Sequence, residues 1–212
     1  MSSKDWHPYT KYLIVLAVLG TAAFLFLGVG SGTDYWTTVT HTNTTGRTYL
    51  ESHNGLWRNC YHPDTVPADS GMECKTFNFT NIPEKGSPGY DYKLTMYALR
   101  LSAIVSVIFG LILVFLGDIL ALCTTRIHKR PWFIAAGTFF LFGGFFVLAG
   151  LCLYITMATH HIKWWPSELG SPPNWTYNFS WSFALMWVGL TFSMLTGGTF
   201  VWLTRLYVED ML

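Results

Sequence analysis

The chain has 212 residues, 51% of them hydrophobic and 12% charged, with a net charge of +1. A soluble domain carries about a quarter charged residues, so the composition excludes an ordinary soluble globule, and the near-neutral balance offers no basic field to nucleic acid. Aromatic residues make up 17% of the chain and gather where apolar runs end, as rings anchored at a membrane interface do.

In chain order, the first apolar run covers Tyr12 to about Gly32 and holds no charge. A signal peptide is the rival reading. The run is too long for that, and Asp34-Tyr35-Trp36 follows it where a small-residue cleavage site would stand. Residues 33–99 then form a long loop. Trp36 to Thr42, rich in Thr and Val, reads as a strand, as do Leu56 to Tyr61 and Lys75 to Thr80, with Asn54-Gly55 as a turn. Tyr90 to Arg100 reads as a helix entering the second run, 101–123, which carries only Asp118. The third run is 132–158. After a second loop, 159–180, comes the fourth, 181–204. Each run exceeds the roughly 20 residues that cross a bilayer core.

The short connection Arg126-Ile127-His128-Lys129-Arg130 is basic, as are Lys4, Lys11 and Arg205 beside the other ends. The positive-inside rule therefore puts both termini in the cytoplasm of a multi-pass plasma-membrane protein, with both long loops outside. Four Asn-x-Ser/Thr sequons, at Asn43, Asn78, Asn174 and Asn178, all fall in those two loops. Asn43 and Asn78 are the expected glycosylation sites. Asn178 lies too near the fourth run and Asn174 is marginal, so both rank behind them. Cys60 and Cys74 share the outer loop, where an oxidising compartment favours a disulfide over free thiols or a metal pair. Thirteen residues lie between them, a ring whose closure removes about 3 kcal/mol of unfolded-chain entropy. The expected fold is a mainly α membrane protein: four transmembrane helices forming one domain over residues 1–212, bearing a small disulfide-stapled extracellular antiparallel sheet of three or four strands.

The loop series Trp36 … Gly55-Leu56-Trp57-Arg58-Asn59-Cys60 … Cys74, combined with four spans, resembles the claudin and peripheral-myelin-protein superfamily over essentially the whole chain. Gly32-Thr33-Asp34-Tyr35-Trp36, Gly55-Leu56-Trp57-Arg58 and Trp181-Ser182-Phe183-Ala184 are similar to the branch of calcium-channel gamma subunits and AMPA-receptor regulatory proteins. The resemblance implies a left-handed four-helix bundle under an extracellular sheet, with Cys60 bridged to Cys74. It implies that Trp36, Gly55, Leu56 and Trp57 pack where sheet meets membrane, and that spans 3 and 4 face a channel. Three features depart from those relatives: the cysteine spacing is wider than in claudins, the chain does not end in Tyr-Val, and the long tail of the AMPA-receptor regulators is missing.

Asp118 is the one ionisable residue in an apolar run, and an intramembrane acid is a functional candidate by default. It stands near the cytoplasmic end, so a side chain reaching the interface is the expectation. Gly28, Gly32, Gly143, Gly144, Gly150, Gly197 and Gly198 permit close helix approach, more within the bundle than toward a partner. Cys152 is expected to pack internally and Cys123 to sit at the interface. Trp164, Trp165 and Trp175 read as interface belt. His41, His53, His62, His160 and His161 lack paired ligand spacing, so no metal is expected. Met211-Leu212 offers at most an atypical PDZ ligand. No catalytic motif or cofactor site appears. The expected function is a non-enzymatic auxiliary subunit binding a pore-forming channel subunit. The alternative is a claudin-type junction protein, with Asp64, Asp69, Glu73 and Lys75 tuning paracellular ions.

Overall fold

A computed structural model describes residues 10–42, 48–61, 72–87, 89–127, 130–169 and 175–209. Asn43, His62, Asp64, Asp69, Asn174, Met211 and Leu212 lie outside the described residues.

Four helices carry the apolar runs: α1 (Thr10–Gly32), α2 (Tyr90–Thr124), α3 (Arg130–Leu169) and α4 (Trp181–Glu209). All four are long and apolar enough to cross a membrane. At 1.5 Å per residue, the 23 residues of α1 reach about 35 Å, enough for a core of about 30 Å. Tyr90 to Arg100 is helical and continuous with the second run, as expected. α3 is longer than its apolar run and continues to Leu169, so half of the segment read as the second loop is helix. No Gly or Pro stands between Leu151 and Trp165 to stop it. The change to polar side chains at Thr159 ends the apolar run, not the helix.

The sheet has five antiparallel strands, not three or four: β1 (Thr37–Thr42), β2 (Thr48–Asn54), β3 (Arg58–Tyr61), β4 (Glu73–Thr76) and β5 (Trp175–Phe179), in the order β4-β3-β2-β1-β5. The sequence reading missed β2, whose Thr-Tyr-Leu-Glu-Ser-His-Asn lacks a clean apolar alternation. It also missed β5, whose Trp175 read as interface belt. β5 joins the sheet by pairing with β1, Thr38 opposite Asn178 and Val39 opposite Tyr177. β4 ends earlier than expected. Phe77 N–H still donates to the Trp57 carbonyl at 2.7 Å, and the chain then turns at Asn78 to Thr80.

The structure divides into two compact units, and each helix contributes a segment to both. One unit is Val29–Val107 with Ala149–Met186 and contains the whole sheet. Its core gathers Trp36, Leu56, Cys60, Ile104, Val107, Leu151, Tyr154 and Phe183, all buried. The other unit is built from the remaining helix segments, and glycines set its packing. A Cβ on Gly110 would lie 2.9 Å from the Gly143 carbonyl oxygen, and one on Gly143 would lie 3.0 Å from that of Gly110. α2 and α3 thus touch backbone to backbone. Gly137 and Gly197 do the same for α3 and α4, each 3.0 Å from the other's oxygen. Gly189 meets Ala23 and Leu27 of α1. Gly143, Gly144, Gly150 and Gly197 are therefore spent inside the bundle, whereas Gly32 and Gly198 meet nothing within 4 Å.

Candidate interaction site

The motif residues converge where α1 ends. The last carbonyls of a helix have no partner within it. Here two indoles supply the donors: Trp36 Nε1–H donates to the Gly30 oxygen at 2.7 Å, and Trp57 Nε1–H to the Ser31 oxygen at 2.6 Å. Trp36 is fully buried. Its ring meets Tyr154 of α3 edge-on, centroids 4.6 Å apart, and lies 5.6 Å from Phe183 of α4. The Tyr154 hydroxyl in turn lies 3.1 Å from Thr37 Oγ1 and 3.4 Å from the Asn54 carbonyl. One tryptophan thus ties the first strand to three helices of its unit.

Gly55 allows two backbones to meet. A Cβ there would fall 2.5 Å from the Asp34 Cα, a separation no side chain tolerates. Its N–H donates to the Arg58 carbonyl at 2.8 Å, closing the turn from β2 to β3, and Leu56 fills the core behind it. A residue that sequence reasoning passed over holds this turn in place. Arg100, buried in α2, donates from Nε to the Leu56 oxygen at 3.2 Å and from NH2 to the Gly55 oxygen at 3.1 Å. Its guanidinium sits 5.2 Å over the Phe77 ring. The available signal was a lone arginine abutting a long apolar run. Such a charge must find acceptors when buried.

Asp34 completes the junction. It forms an ion pair with Arg58, whose outer side is half exposed. Its main-chain carbonyl lies 3.0 Å from His53 Nδ1, and since a carbonyl only accepts, that nitrogen carries the hydrogen. The His53 ring stacks on Tyr35 at 4.1 Å, and Tyr35 on Trp181 of α4 at 6.0 Å. His53 is thus a packing residue of the sheet base. Cys60 and Cys74 are bonded and face each other across β3 and β4. β4 is exposed along its length. There Lys75 lies 5.1 Å from the Tyr61 ring centre and 3.8 Å from Glu73. A hydrogen bond with Tyr61 and the Glu73 carboxylate raise the Lys75 pKa above its usual value. The ammonium therefore keeps its charge throughout the physiological range.

Two expectations about helix residues are corrected. Asp118 faces α1 and not the protein surface. It is buried, and Thr21 Oγ1 of α1 lies 3.0 and 3.2 Å from its two oxygens. The Thr21 hydroxyl holds the carboxyl between α1 and α2, and a Cβ added at Gly20 would come within 3.2 Å of Asp118 Oδ1. Cys152 does not pack inside; it lies on an exposed face of α3. The outward surface of the helical unit is apolar. Phe109, Leu113, Thr138, Phe139, Phe142 and Phe146 line a cleft of about 250 Å³ between α2 and α3. On α4, Leu195 and Trp202 project outward.

The arrangement suits binding more than chemistry: a sheet locked to helix ends and broad apolar helix faces. A family model described as "PMP-22/EMP/MP20/Claudin tight junction" matches residues 21–202. Among curated proteins, the mouse voltage-dependent calcium channel gamma-5 subunit is 25% identical over 100% of this chain and 76% of its own length. The human gamma-7 subunit is 26% identical over 96% of this chain and 74% of its own. The rat gamma-3 subunit is 29% identical over 81% of this chain and 54% of its own. The four apolar helices, the disulfide-bonded sheet and the match across most of the sequence agree: the chain belongs to the PMP-22/EMP/MP20/Claudin family.

Proposed function

We propose that this protein is an auxiliary subunit of a voltage-gated cation channel. It would bind the pore-forming subunit in the membrane and shift its gating or its delivery to the surface. The observation that carries the reading is its likeness, over nearly all of this chain, to proteins named as calcium channel gamma subunits. In this reading the sheet faces outside and both termini lie in the cytoplasm of a plasma-membrane protein. The basic α2–α3 connection supports that orientation.

Binding in lipid rests on shape. Lipid tails are as apolar as leucine, so helices associate by close fit more than by a hydrophobic drive. The exposed rings and branched chains of α3 and α4, among them Phe142, Phe145, Leu195 and Trp202, offer that fit. The sheet, held by Arg100 and the two indole caps, is a rigid contact for the channel's outer surface. Gating shifts only to the extent that these contacts differ between closed and open channel.

The test is co-expression with a pore-forming calcium channel subunit, recording the voltage dependence of activation and inactivation. A shifted midpoint or altered current density supports the proposal. A junctional role is the competing outcome, distinguished by Lys75→Glu. If that swap changes ion selectivity across an epithelial layer while channel currents are indifferent to the protein, the subunit reading fails.

A further inference from the structure

Two sequons fall among the described residues, and the fold treats them differently. Asn78 is exposed in the turn just after β4. Its Oδ1 accepts from the Thr80 main-chain N–H at 3.0 Å and from the Thr80 hydroxyl at 2.8 Å. Both donors belong to the residue two positions on, so the turn is closed by local chain alone. The two donors draw electron density from the carboxamide oxygen and leave Nδ2 directed away from that contact. Eleven residues lie between Asn78 and the start of α2 at Tyr90. Asn178 is exposed as well, but its main chain is tied into the sheet. It sits within β5, opposite Thr38 of β1, three residues short of α4. Ser180 of its own sequon donates its N–H to the Trp36 carbonyl at 2.9 Å.

From this contrast we infer that Asn78 is an N-linked glycan acceptor, that Asn178 is not, and that the Asn78 glycan guards the free edge of β4. The reaction is group transfer from a lipid pyrophosphate-linked oligosaccharide. The bond from the sugar C1 to the phosphate oxygen breaks, and a bond from C1 to Asn78 Nδ2 forms. The amide nitrogen loses a proton, and the lipid pyrophosphate leaves with the bonding electrons. The consequence for the sheet follows from its order. Among the described residues β4 is an outer strand with exposed side chains, and an unpaired edge is a template for a second strand. A bulky, hydrated glycan two residues past Thr76 covers that edge and leaves the β5 side for a partner. The inference rests on the sheet facing outside, as proposed above.

The test uses the full-length protein from mammalian cells. Peptide N-glycosidase in heavy-oxygen water marks each occupied asparagine as labelled aspartate, read by mass spectrometry of the peptides. Thiol alkylation of the same sample reports the Cys60–Cys74 bond, which forms only in an oxidising compartment. Label at Asn78 and none at Asn178 is the expected result. No label at Asn78 with the disulfide intact overturns the glycan and leaves the orientation standing. No label with both thiols free overturns the orientation as well. For the edge, Asn78→Gln is compared with Thr80→Ser, which keeps the sequon. Asn78→Gln is expected to lose one glycan's mobility shift and to move to higher-order oligomers in light scattering, while Thr80→Ser stays with wild type. Loss of the glycan with an unchanged oligomer distribution overturns the guarding role.

Discussion

Gly55 and Arg100 show how little room the junction leaves. Gly55→Ala puts a methyl group 2.5 Å from the Asp34 Cα, and the obstacle is backbone, so one strand must move. The expected cost is about 1–3 kcal/mol, read as a lower melting temperature in detergent and reduced surface biotinylation. Arg100→Met keeps much of the bulk and removes the donors, leaving the Gly55 and Leu56 carbonyls without them. Two buried acceptors left unpaired cost about 1–3 kcal/mol each, so this variant should be at least as unstable as Gly55→Ala in the same assays. Wild-type stability in either variant would remove the junction from the account. The two residues also mark what was legible. Gly55, Leu56 and Trp57 stand out because glycine and tryptophan are informative beside each other in a cysteine-bearing loop. Arg100 looked like an ordinary flanking charge, because its acceptors lie more than forty positions earlier in the chain. Asp118 misled for the same reason: nothing near it in sequence announces Thr21.

At the scale of elements, the helices were read from length and apolarity, and their positions agree with those expectations to within a few residues at most ends. Their buried faces were not legible. A lipid-facing side is as apolar as a packed one, so the helical period that marks an inward face in water is absent. Glycines partly replace that signal, but only the structure sorts them. Gly143→Ala meets Val114 Cγ2 at 2.7 Å and the Gly110 oxygen at 3.0 Å, whereas Gly198→Ala meets nothing within 4 Å. The first should lower thermal stability by an amount typical of overpacking, about 1–3 kcal/mol, and the second should leave it unchanged. Equal melting temperatures for the two would contradict the α2–α3 contact. In the sheet, β1 and the cysteine strand β3 were readable from composition. β5 was not, because its partner β1 lies at the far end of the chain. Cys60→Ser opens the β3–β4 staple and should cost about 3 kcal/mol, seen as retention inside the cell. Undiminished surface delivery would show that β4 holds without it.

For the whole molecule, the family could be read from a short motif and four apolar runs, and the match over residues 21–202 agrees. The function was legible only as a class, since the residues of the motif build the junction and do not themselves name a partner. The sheet base is bonded to the end of α1 through Trp36 and Trp57 and to α2 through Arg100, so a contact on the sheet acts on a platform already ordered. Little ordering entropy is then lost when a partner binds. The central claim is that this platform serves a channel. Its most direct test is purification of the protein from native membranes in a mild detergent, with quantitative mass spectrometry of what remains bound. The account predicts a pore-forming cation-channel subunit recovered at fixed stoichiometry. Recovery of only further copies of this chain or other claudin-type proteins, with no pore-forming subunit, would contradict it.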